Sequence, residues 1–473
     1  MDRRRFLQYG TLGLALTAAG VAGCLKSQPQ KKSNVLFIAV DDLNSWIGCL
    51  AHLRKGIPVA RTPNMDRLAA QGVLFSNAHT PVPWCGPARC NTFAGLYANR
   101  SGVFNEEVLR EVLPTIQTLP QHFMAQGYKA LAAGKLFHDT QPEPQSWNHL
   151  EQFSRPASQR TRTPRVTAIP GLEHDNIDWG QVAVPETEFV DAQIADRVIQ
   201  YLHQQHDRPF FIGAGFRFPH LPWYLPKEFL DLYPLESIKL PWIREDDLDD
   251  IPELGRKMAL SSPLRDTDEL DESDHYRITQ AHAWKKAVQA YLAAITFADE
   301  QVGRIVDALD ASEHAGETHV VLWSDNGFHL GEKLHWRKYT LWDQATRIPL
   351  MIRPADRQGA GRVVDQAVSL VDLYPTLVEM CGLPPPAHQL SGESLAPFFR
   401  TEDYRKATPA FITWRKGNDS VVDERWRYIR YDDGTEELYD HSADPNEWVN
   451  LAGDPRWGDQ KQRLSAWLER SRA

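Results

Sequence analysis

Three uninterrupted apolar runs along the chain predict strands that are buried on both faces. They cover residues 34–40, 210–215 and 318–323. Strands with only one buried face alternate apolar and polar residues, whereas continuous runs are typical of a parallel sheet covered by helices. The first run ends in Asp41-Asp42 and the third ends in Ser324-Asp325-Asn326-Gly327. We therefore expect these polar residues to meet at the carboxyl edge of one sheet.

Helical patterns lie between the predicted strands. One helix begins at Pro63, with Thr62 as its predicted N-cap and Gly72 after its last turn, and a strand at residues 73–75 follows. A longer helical pattern covers residues 278–309. Strands that alternate with helices predict an α/β domain with a mostly parallel sheet flanked by helices.

The pattern changes after the run Pro384-Pro385-Pro386. Short strands are predicted at residues 408–413, 426–431 and 437–439, and a helix at 459–472. These elements predict a smaller C-terminal α+β subdomain with an antiparallel sheet over residues 396–473, after a main domain over residues 34–395.

The N-terminal segment has the features of an export signal rather than of the fold. Arg3-Arg4-Arg5 fits a twin-arginine pattern, an apolar stretch follows, and Val21-Ala22-Gly23-Cys24 resembles a bacterial lipobox. We predict a signal peptide over residues 1–23, lipidation of Cys24 and a polar tether over residues 24–33. The protein would then be an exported bacterial lipoprotein of the periplasm or cell surface. An ordinary cleaved signal and a short membrane anchor are the alternatives.

Charge and cysteine content narrow the classes of partner. The formal net charge of −10 disfavours nucleic acid and anionic membranes, so membrane contact is expected only through the lipid anchor. Of the five cysteines, Cys24 and Cys85 have predicted roles, which leaves an odd number: Cys49, Cys90 and Cys381. We expect these three to be buried single thiols, with a Cys49–Cys90 disulfide as the alternative.

The run Cys85-Gly86-Pro87-Ala88-Arg89, followed by Gly95, lies at a predicted loop-to-helix junction. As a bare thiol, Cys85 could be a structural cysteine or the nucleophile of a cysteine phosphatase. Pro87 lacks one of the backbone amides with which such phosphatases bind an anion, which argues against that geometry. If the helix starts near Pro87, Arg89 returns to the site, and the helix N-terminus favours a bound anion.

Oxygen donors and cations complete the candidate site. Asp41, Asp42, Asp325 and Asn326 are hard ligands that suit Ca²⁺ or Mg²⁺ better than zinc. A single Asp-Asp pair is more often a turn or a helix cap, so the two strand ends together carry this prediction. Four further candidates each have an ordinary structural explanation when considered alone: Lys135, His138, His220 and Lys338.

As a set, these motifs resemble the type I, formylglycine-dependent sulfatases of the alkaline phosphatase superfamily, over residues 34–451. The segment Thr62-Pro63-Asn64-Met65-Asp66 resembles the first helix of that family, and Glu437-Leu438-Tyr439-Asp440 resembles its C-terminal signature. Three details are most similar to iduronate-2-sulfatases and their bacterial relatives: Lys135-Leu136-Phe137-His138, Phe218-Pro219-His220 and Trp336-Arg337-Lys338-Tyr339.

The resemblance implies an alkaline-phosphatase-like α/β fold, with residues 34–395 as the catalytic domain and a sulfuric ester hydrolase activity. It implies that a formylglycine-generating maturation enzyme oxidises Cys85 and that calcium, or else magnesium, binds the modified Cys85 together with Asp41, Asp42, Asp325 and Asn326. The residues implied to line the sulfate are Arg89, Lys135, His138, His220 and Lys338, of which His220 or Lys338 protonates the leaving oxygen. Ala88 departs from the serine common in the family, and Asp343 has no assigned role.

The expected substrate is a sulfated polysaccharide or oligosaccharide, with 2-sulfated uronic acid as a candidate unit. Arg217 or Lys227 could meet a carboxylate, and six residues are expected on loops that border the pocket: Trp223, Tyr224, His329, Lys333, His335 and Trp336. The tryptophans could instead belong to the core. Two other functions stay open, a phosphonate or phosphodiester hydrolase of the same superfamily and a non-catalytic lipoprotein that binds sulfated glycans.

Overall fold

The computed structural model describes residues 32–154, 160, 165–172, 176–263 and 265–472. The predicted signal peptide, Cys24 and most of the tether lie outside these residues. Among the helices of the described residues, none is both long and apolar enough to cross a membrane.

The main sheet has eight strands, and its central strands are parallel. Only β13 runs antiparallel to its two neighbours, so the predicted α/β fold with a mostly parallel sheet is confirmed. From one edge to the other the strands are β14 (Arg362–Val364), β2 (Val73–Phe75), β13 (Leu350–Arg353), β9 (Thr318–Ser324), β1 (Asn34–Val40), β7 (Phe210–Phe216), β4 (Lys129–Gly134) and β5 (His149–Glu151).

A second, four-stranded antiparallel sheet lies near the C-terminus. Its strands, in spatial order, are β16 (Ala410–Thr413), β17 (Asp419–Val422), β18 (Trp426–Arg430) and β19 (Glu436–Asp440). Short strands form three small ribbons: β3 (Ala78–His79) with β12 (Arg347–Ile348) and β15 (Val368–Ser369), β6 (Trp179–Gln181) with β8 (Trp223–Leu225), and β10 (His329–Leu330) with β11 (Trp336–Arg337).

Fourteen α-helices of the described residues cover both faces of the main sheet and pack against the C-terminal sheet and the segments around it. They are α1 (Pro63–Gln71), α2 (Cys85–Ala94), α3 (Ala98–Ser101), α4 (Leu109–Val112), α5 (Leu119–Ala125), α6 (Val190–His203), α7 (Lys227–Asp231), α8 (Glu253–Leu260), α9 (Asp274–Gln280), α10 (Trp284–Asp310), α11 (Asp343–Thr346), α12 (Leu373–Met380), α13 (Pro397–Arg400) and α14 (Gly458–Arg472).

The alternation of side chains along β1 divides the core between these helices. Leu36, Ile38 and Val40 face the helices α1, α6 and α10. Phe37, together with its neighbours on the same face of β1, packs against α2, α5 and α12. Because every residue of β1 is buried, the strand has the continuous apolar pattern that the sequence shows.

Three local predictions differ from the structure. The pattern at residues 278–309 is two helices, since the chain leaves the helix after α9 and His282 has a φ of 52° before α10 begins. Thr62 precedes α1, but its hydroxyl accepts a hydrogen bond from the Gly48 amide rather than capping the helix. Strand β17 has no counterpart among the predicted strands.

A buried ionic network, centred on Arg427 of β18, joins the C-terminal sheet to the segment that follows β11. The Arg427 guanidinium donates to Asp343 Oδ1 at 2.7 Å, to Glu447 Oε1 at 2.5 Å and to the Leu341 carbonyl at 2.8 Å. Arg54 and Arg347 also bind Asp343. Asp343 therefore has a structural role that the sequence did not suggest.

We expect Arg427→Met to lower the free energy of unfolding by about 3–5 kcal/mol, because it leaves buried carboxylates without their partner. Arg430→Met on the same strand is the matched control, since Arg430 pairs with the exposed Glu469 and should contribute about 1 kcal/mol or less. Urea unfolding of both variants measures the difference. Equal losses would mean that the network contributes no more than a surface pair.

The network also predicts an acid-dependent loss of stability. Burial opposes ionisation of Glu447, but Arg427 and His441 lower its pKa to about 2. Because an unfolded glutamate has a pKa of about 4.3, this contribution is present above that pH and is lost as the pH falls toward the folded value. The unfolding free energy of the wild type should therefore fall more steeply in this window than that of Glu447→Gln. Parallel profiles would contradict an ionised Glu447.

Candidate active site

The ends of β1 and β9 bring four oxygen-bearing side chains together. Val40 pairs with Ser324 across the two strands, so Asp41 and Asp42 lie beside Asp325 and Asn326. The Asp42 amide donates to Asp325 Oδ1 at 3.1 Å, and Asn326 Nδ2 donates to Asp42 Oδ1 at 2.8 Å. All four residues are buried, as expected for the carboxyl edge of a parallel sheet covered on both faces.

The donor set fits a hard divalent cation. One carboxylate oxygen from each of Asp41, Asp42 and Asp325 and the Cys85 sulfur all lie within 4.8 Å of one another. Asn326 Oδ1 is buried and accepts no hydrogen bond in the structure. An unpaired buried carbonyl oxygen is costly, and coordination of a metal ion would satisfy it.

Cys85 is the first residue of α2, which places the predicted loop-to-helix junction at the carboxylates. Lys338 Nζ lies 2.7 Å from Cys85 Sγ, and Asp42 Oδ1 lies 3.6 Å from the same sulfur. Burial raises the pKa of the Cys85 thiol well above its usual value, and Asp325 and Asp41 add to this effect. A thiol held in its protonated form is a poor nucleophile.

Arg89 lies one turn after Cys85 in α2. It connects the residues that follow three strands of the main sheet, β1, β4 and β9. Its Nε donates to Asp325 Oδ2 at 2.7 Å, and its two terminal nitrogens reach Asp41 Oδ1 at 3.4 Å and the Leu136 carbonyl at 3.1 Å. The guanidinium is fully buried. The helix therefore returns Arg89 to the strand ends, where it offsets the charge of two carboxylates.

Two lysines supply the other positive charges. Lys135, directly after β4, donates to Asp41 Oδ2 at 2.5 Å, and Lys338, directly after β11, donates to Asp42 Oδ1. Burial disfavours the charge of Lys338, but Asp42 and the other neighbours raise its pKa well above the usual value, so its ammonium group stays protonated. The same lysine reaches both the carboxylate and the sulfur.

The pKa of Asp325 is shifted in the opposite direction from those of Asp41 and Asp42. For Asp41, burial is outweighed by Lys135, His220 and Arg89, which hold its pKa well below the usual value. For Asp325, burial prevails over Arg89 and raises the pKa to about 6. Asp325 is therefore the carboxylate whose charge depends most on added positive charge.

Two histidines flank the cluster. His220 Nδ1 lies 2.6 Å from the Leu221 carbonyl, and its Nε2 lies 3.9 Å from Asp42 Oδ2. A carbonyl only accepts hydrogen bonds, so Nδ1 carries the proton and a neutral His220 has a free lone pair on Nε2. Burial lowers the pKa of His220 to about 3 and that of His138 to about 4. Both imidazoles are thus neutral at pH 7.

The structure brings together the predicted nucleophile, metal ligands and cations, but it does not place the predicted aromatic residues at a pocket. Trp223 and Tyr224 are fully buried, and Trp223 packs against Tyr291 and Phe328 in the core. Trp336, His329 and His335 are buried as well. The side chains of these residues therefore lie in the core, which is the alternative given for the tryptophans, while the same loops reach the site through His220 and Lys338.

Three basic residues, one from the predicted pocket loops and two predicted to meet a substrate carboxylate, also have other partners. Lys333 is buried and donates to Asp247 Oδ1 at 2.7 Å. Arg217 binds Asp139 and the Phe153 carbonyl, and Lys227 pairs with Asp231 one helical turn away.

The remaining cysteines of the described residues, Cys49, Cys90 and Cys381, are free thiols, of which Cys90 and Cys381 are buried and Cys49 is half-buried. The alternative of a Cys49–Cys90 disulfide is therefore not observed.

Comparison with known proteins identifies the family. The sequence profile described as Sulfatase matches residues 33–383, about three quarters of the chain. The chain belongs to the sulfatase family. A second profile, described as the C-terminal region of N-sulphoglucosamine sulphohydrolase, matches residues 331–473, which include the four-stranded sheet. The protein is therefore a sulfatase, as its motifs predict.

Individual relatives extend over most of the chain. A sulfatase of Formosa agariphila is 36% identical over 95% of this chain and 89% of its own length. Human iduronate 2-sulfatase is 31% identical over 80% of this chain and 75% of its own. The solved structure of a phosphonate monoester hydrolase of Agrobacterium radiobacter superposes with a TM-score of 0.73 at 23% identity, covering 93% of this chain and 95% of that one. This last likeness shows the shared fold alone.

Metal content tests the ligand set directly. We expect the purified full-length sulfatase to bind one divalent cation per chain and Asp325→Asn to lose at least about 90% of it at micromolar metal, because a neutral amide replaces a charged oxygen ligand. Elemental analysis after dialysis measures the ratio. The control is Asp299→Asn, a buried carboxylate that binds the first amides of α1. Unchanged metal in Asp325→Asn would contradict its role as a ligand.

Proposed function

We propose that this sulfatase removes O-sulfate from a sulfated polysaccharide or oligosaccharide, using a formylglycine derived from Cys85 and a calcium ion. The observation that carries the proposal is the position of Cys85, which begins α2 where β1 and β9 deliver Asp41, Asp42 and Asp325. The 31% identity with human iduronate 2-sulfatase supports 2-sulfated uronic acid as the sulfated unit.

The chemistry of a sulfate ester explains why both groups are needed. Nucleophile and ester are both rich in electrons, so the reaction requires a positioned nucleophile and concentrated positive charge. A hydrated aldehyde at residue 85 supplies a hydroxyl nucleophile and a second hydroxyl on the same carbon for expulsion of the sulfate. Asp41, Asp42, Asp325 and Asn326 would hold a divalent cation, calcium or else magnesium, and its positive charge would stabilise the nucleophile and the sulfuryl group.

The other residues of the site bind charge and move protons. Lys135 and Lys338 hold ammonium groups at the carboxylates, where they can also meet sulfuryl oxygens, and the N-terminus of the ten-residue helix α2 adds backbone amides. His138 is neutral at pH 7 and can accept a proton from a hydroxyl at residue 85. Arg89 holds Asp325 and Asp41 in place.

Lys338 is the better candidate for protonating the leaving oxygen. Its ammonium group is protonated and lies 2.7 Å from the sulfur of Cys85, the atom next to which the ester must bind. His220 directs an unprotonated Nε2 toward Asp42 in this structure, so it would first have to gain a proton. The negative charge of a bound sulfate favours that gain, and His220 remains the second candidate.

Two further parts of the proposal concern maturation and location. A formylglycine-generating enzyme of the host would have to modify Cys85 before the chain folds, because Cys85 is only 1% exposed in the folded protein. Lipidation of Cys24 after export would attach the enzyme to a membrane surface in the periplasm or at the cell surface.

The state of Cys85 is the decisive measurement. In protein matured in its native host, we expect the peptide containing Cys85 to be about 18 Da lighter than the unmodified sequence, the change from thiol to aldehyde. Cys85→Ala should lose both this mass change and all measurable sulfate release. Cys90→Ala is the matched control on the same helix, and it should keep both.

Two outcomes would redirect the proposal. An unmodified thiol in active protein would contradict the formylglycine mechanism, and an unmodified thiol in protein that only binds sulfated glycans would favour the non-catalytic alternative. Modified protein that cleaves a phosphonate ester with a higher kcat/KM than every sulfate ester tested would favour the phosphonate hydrolase.

A further inference from the structure

A large cleft lies beside the proposed nucleophile. Its volume is about 1050 Å³, and its walls come from the residue before α2, from α8 and the segment after it, and from the hairpin that joins β16 to β17. Pockets that bury a drug-sized ligand have volumes of about 300–1,000 Å³, so this cleft can hold more than one sugar ring.

Several residues that line the cleft are direct neighbours of the proposed catalytic residues in the chain. Trp84 lines it and precedes Cys85 in the chain, and Tyr339 lines it and follows Lys338. Asn105 also lines it, and a Cβ atom on Gly86 would lie 4.0 Å from the Asn105 carbonyl oxygen. A group bound at Cys85 therefore has the cleft as its neighbour.

Three aromatic side chains form one side of the cleft, which we call the aromatic wall: Trp84, Tyr339 and Trp414. The ring centroids of Trp84 lie 5.8 Å from Tyr339 and 5.9 Å from Trp414, and those of Tyr339 and Trp414 are 5.3 Å apart. Trp84 and Tyr339 are only half-buried. Partly exposed rings with a polar edge suit a ligand such as a sugar, which has apolar C–H faces and polar rims.

Charged side chains line the cleft beside the aromatic wall. Arg415 and Lys416 are exposed at the tip of the β16–β17 hairpin, and neither forms a direct ion pair with any residue that the structure describes, although Arg415, after Lys257, helps to lower the pKa of the nearby Asp266. The Arg415 guanidinium carbon lies 5.5 Å from the Trp414 ring centre. The other two cations of the cleft are already paired, Lys257 with Asp266 and Arg265 with Asp274.

Carboxylates are present as well. Glu106 and Asp432 line the same cleft and are exposed. Carboxylates accept hydrogen bonds from hydroxyl groups, whereas the two unpaired cations bind acidic groups. Aromatic rings, hydroxyl acceptors and unpaired cations together match a sugar that carries an acidic substituent.

We propose that this cleft is a subsite for the sugar next to the sulfated unit, and that Arg415 and Lys416 select a neighbour with a carboxylate or sulfate group. The inference rests on the proposed function for the position of the sulfated unit. It makes the preferred substrate a chain of alternating acidic units rather than a sulfated monosaccharide. The hairpin of the C-terminal sheet then determines specificity, while the main sheet performs the chemistry.

A double substitution separates the subsite from the catalytic residues. Arg415→Gln with Lys416→Gln should lower kcat/KM for a heparin-derived tetrasaccharide by about tenfold or more, because two charge-assisted contacts are lost. Its kcat/KM for a matching 2-O-sulfated monosaccharide should stay within about twofold of the wild type. The control is Lys285→Gln with Lys286→Gln, an exposed pair of adjacent lysines on α10 outside the cleft. Equal loss on both substrates, or no loss on the tetrasaccharide, would overturn the proposal.

A binding measurement separates failure of this inference from failure of the proposed function. Calorimetry with a heparin tetrasaccharide that lacks only its 2-O-sulfates and keeps the N- and 6-O-sulfates of its glucosamine units requires no turnover. We expect the wild type to bind it, the Arg415/Lys416 double variant to bind at least about tenfold more weakly, and the fully desulfated tetrasaccharide to bind as weakly to both. Wild-type protein that releases sulfate but does not bind this probe would overturn the subsite alone. Protein that binds the probe in this pattern but releases no sulfate would overturn the proposed function alone.

Discussion

Three buried carboxylates from neighbouring strands must be held together in the protein interior, and the rest of the site follows from this electrostatic requirement. Repulsion between like charges is strong where water is excluded. Arg89 of α2, Lys135 after β4 and Lys338 after β11 each bind one or two of these carboxylates. The three cations balance the charge of the three carboxylates, so a divalent cation added to the site would leave it positive. A positive, buried site at a helix N-terminus binds a sulfate group well.

Because the compensating charges come from distant parts of the chain, the site depends on the whole fold. Lys338 lies on a segment with little regular structure, between the short strand β11 and the short helix α11. The Leu341 carbonyl, three residues after Lys338, accepts a hydrogen bond from Arg427. Asp343 binds the same Arg427 guanidinium. The C-terminal sheet thereby holds the segment that carries Lys338, one of the three cations that bind the carboxylates. Loss of one partner would leave buried charges of this network uncompensated, so the network ties the position of this segment to the C-terminal sheet.

The sequence predicted the parts of the site that follow from local pattern. Continuous apolar runs mark β1 and β9, and a parallel pair brings the residues after them together, which is why Asp41 and Asp325 could be paired in advance. The position of Arg89 followed from the helical period after Cys85.

Contacts between distant segments gave no such signal in the sequence. Nothing near Asp343 or Arg427 distinguishes a buried network from surface charge, and Trp223 in a proline-rich loop gives no sign that it packs against Tyr291. Trp84 and Trp414 lie 330 positions apart, so only the fold reveals the aromatic wall.

The carboxylates follow strands of the main sheet, whereas the hairpin with Arg415 and Lys416 belongs to the C-terminal sheet. This separation affects how substrate specificity could change. Residues that bind the carboxylates are buried and paired, so a substitution there alters a charge balance that several elements share. Arg415 and Lys416 are exposed on a hairpin and contact none of those carboxylates. If the hairpin forms the proposed subsite, substitutions in it would alter which neighbouring sugar is accepted without disturbing the proposed nucleophile or its cations. A fold of this kind can keep one reaction while it changes the glycan on which it acts.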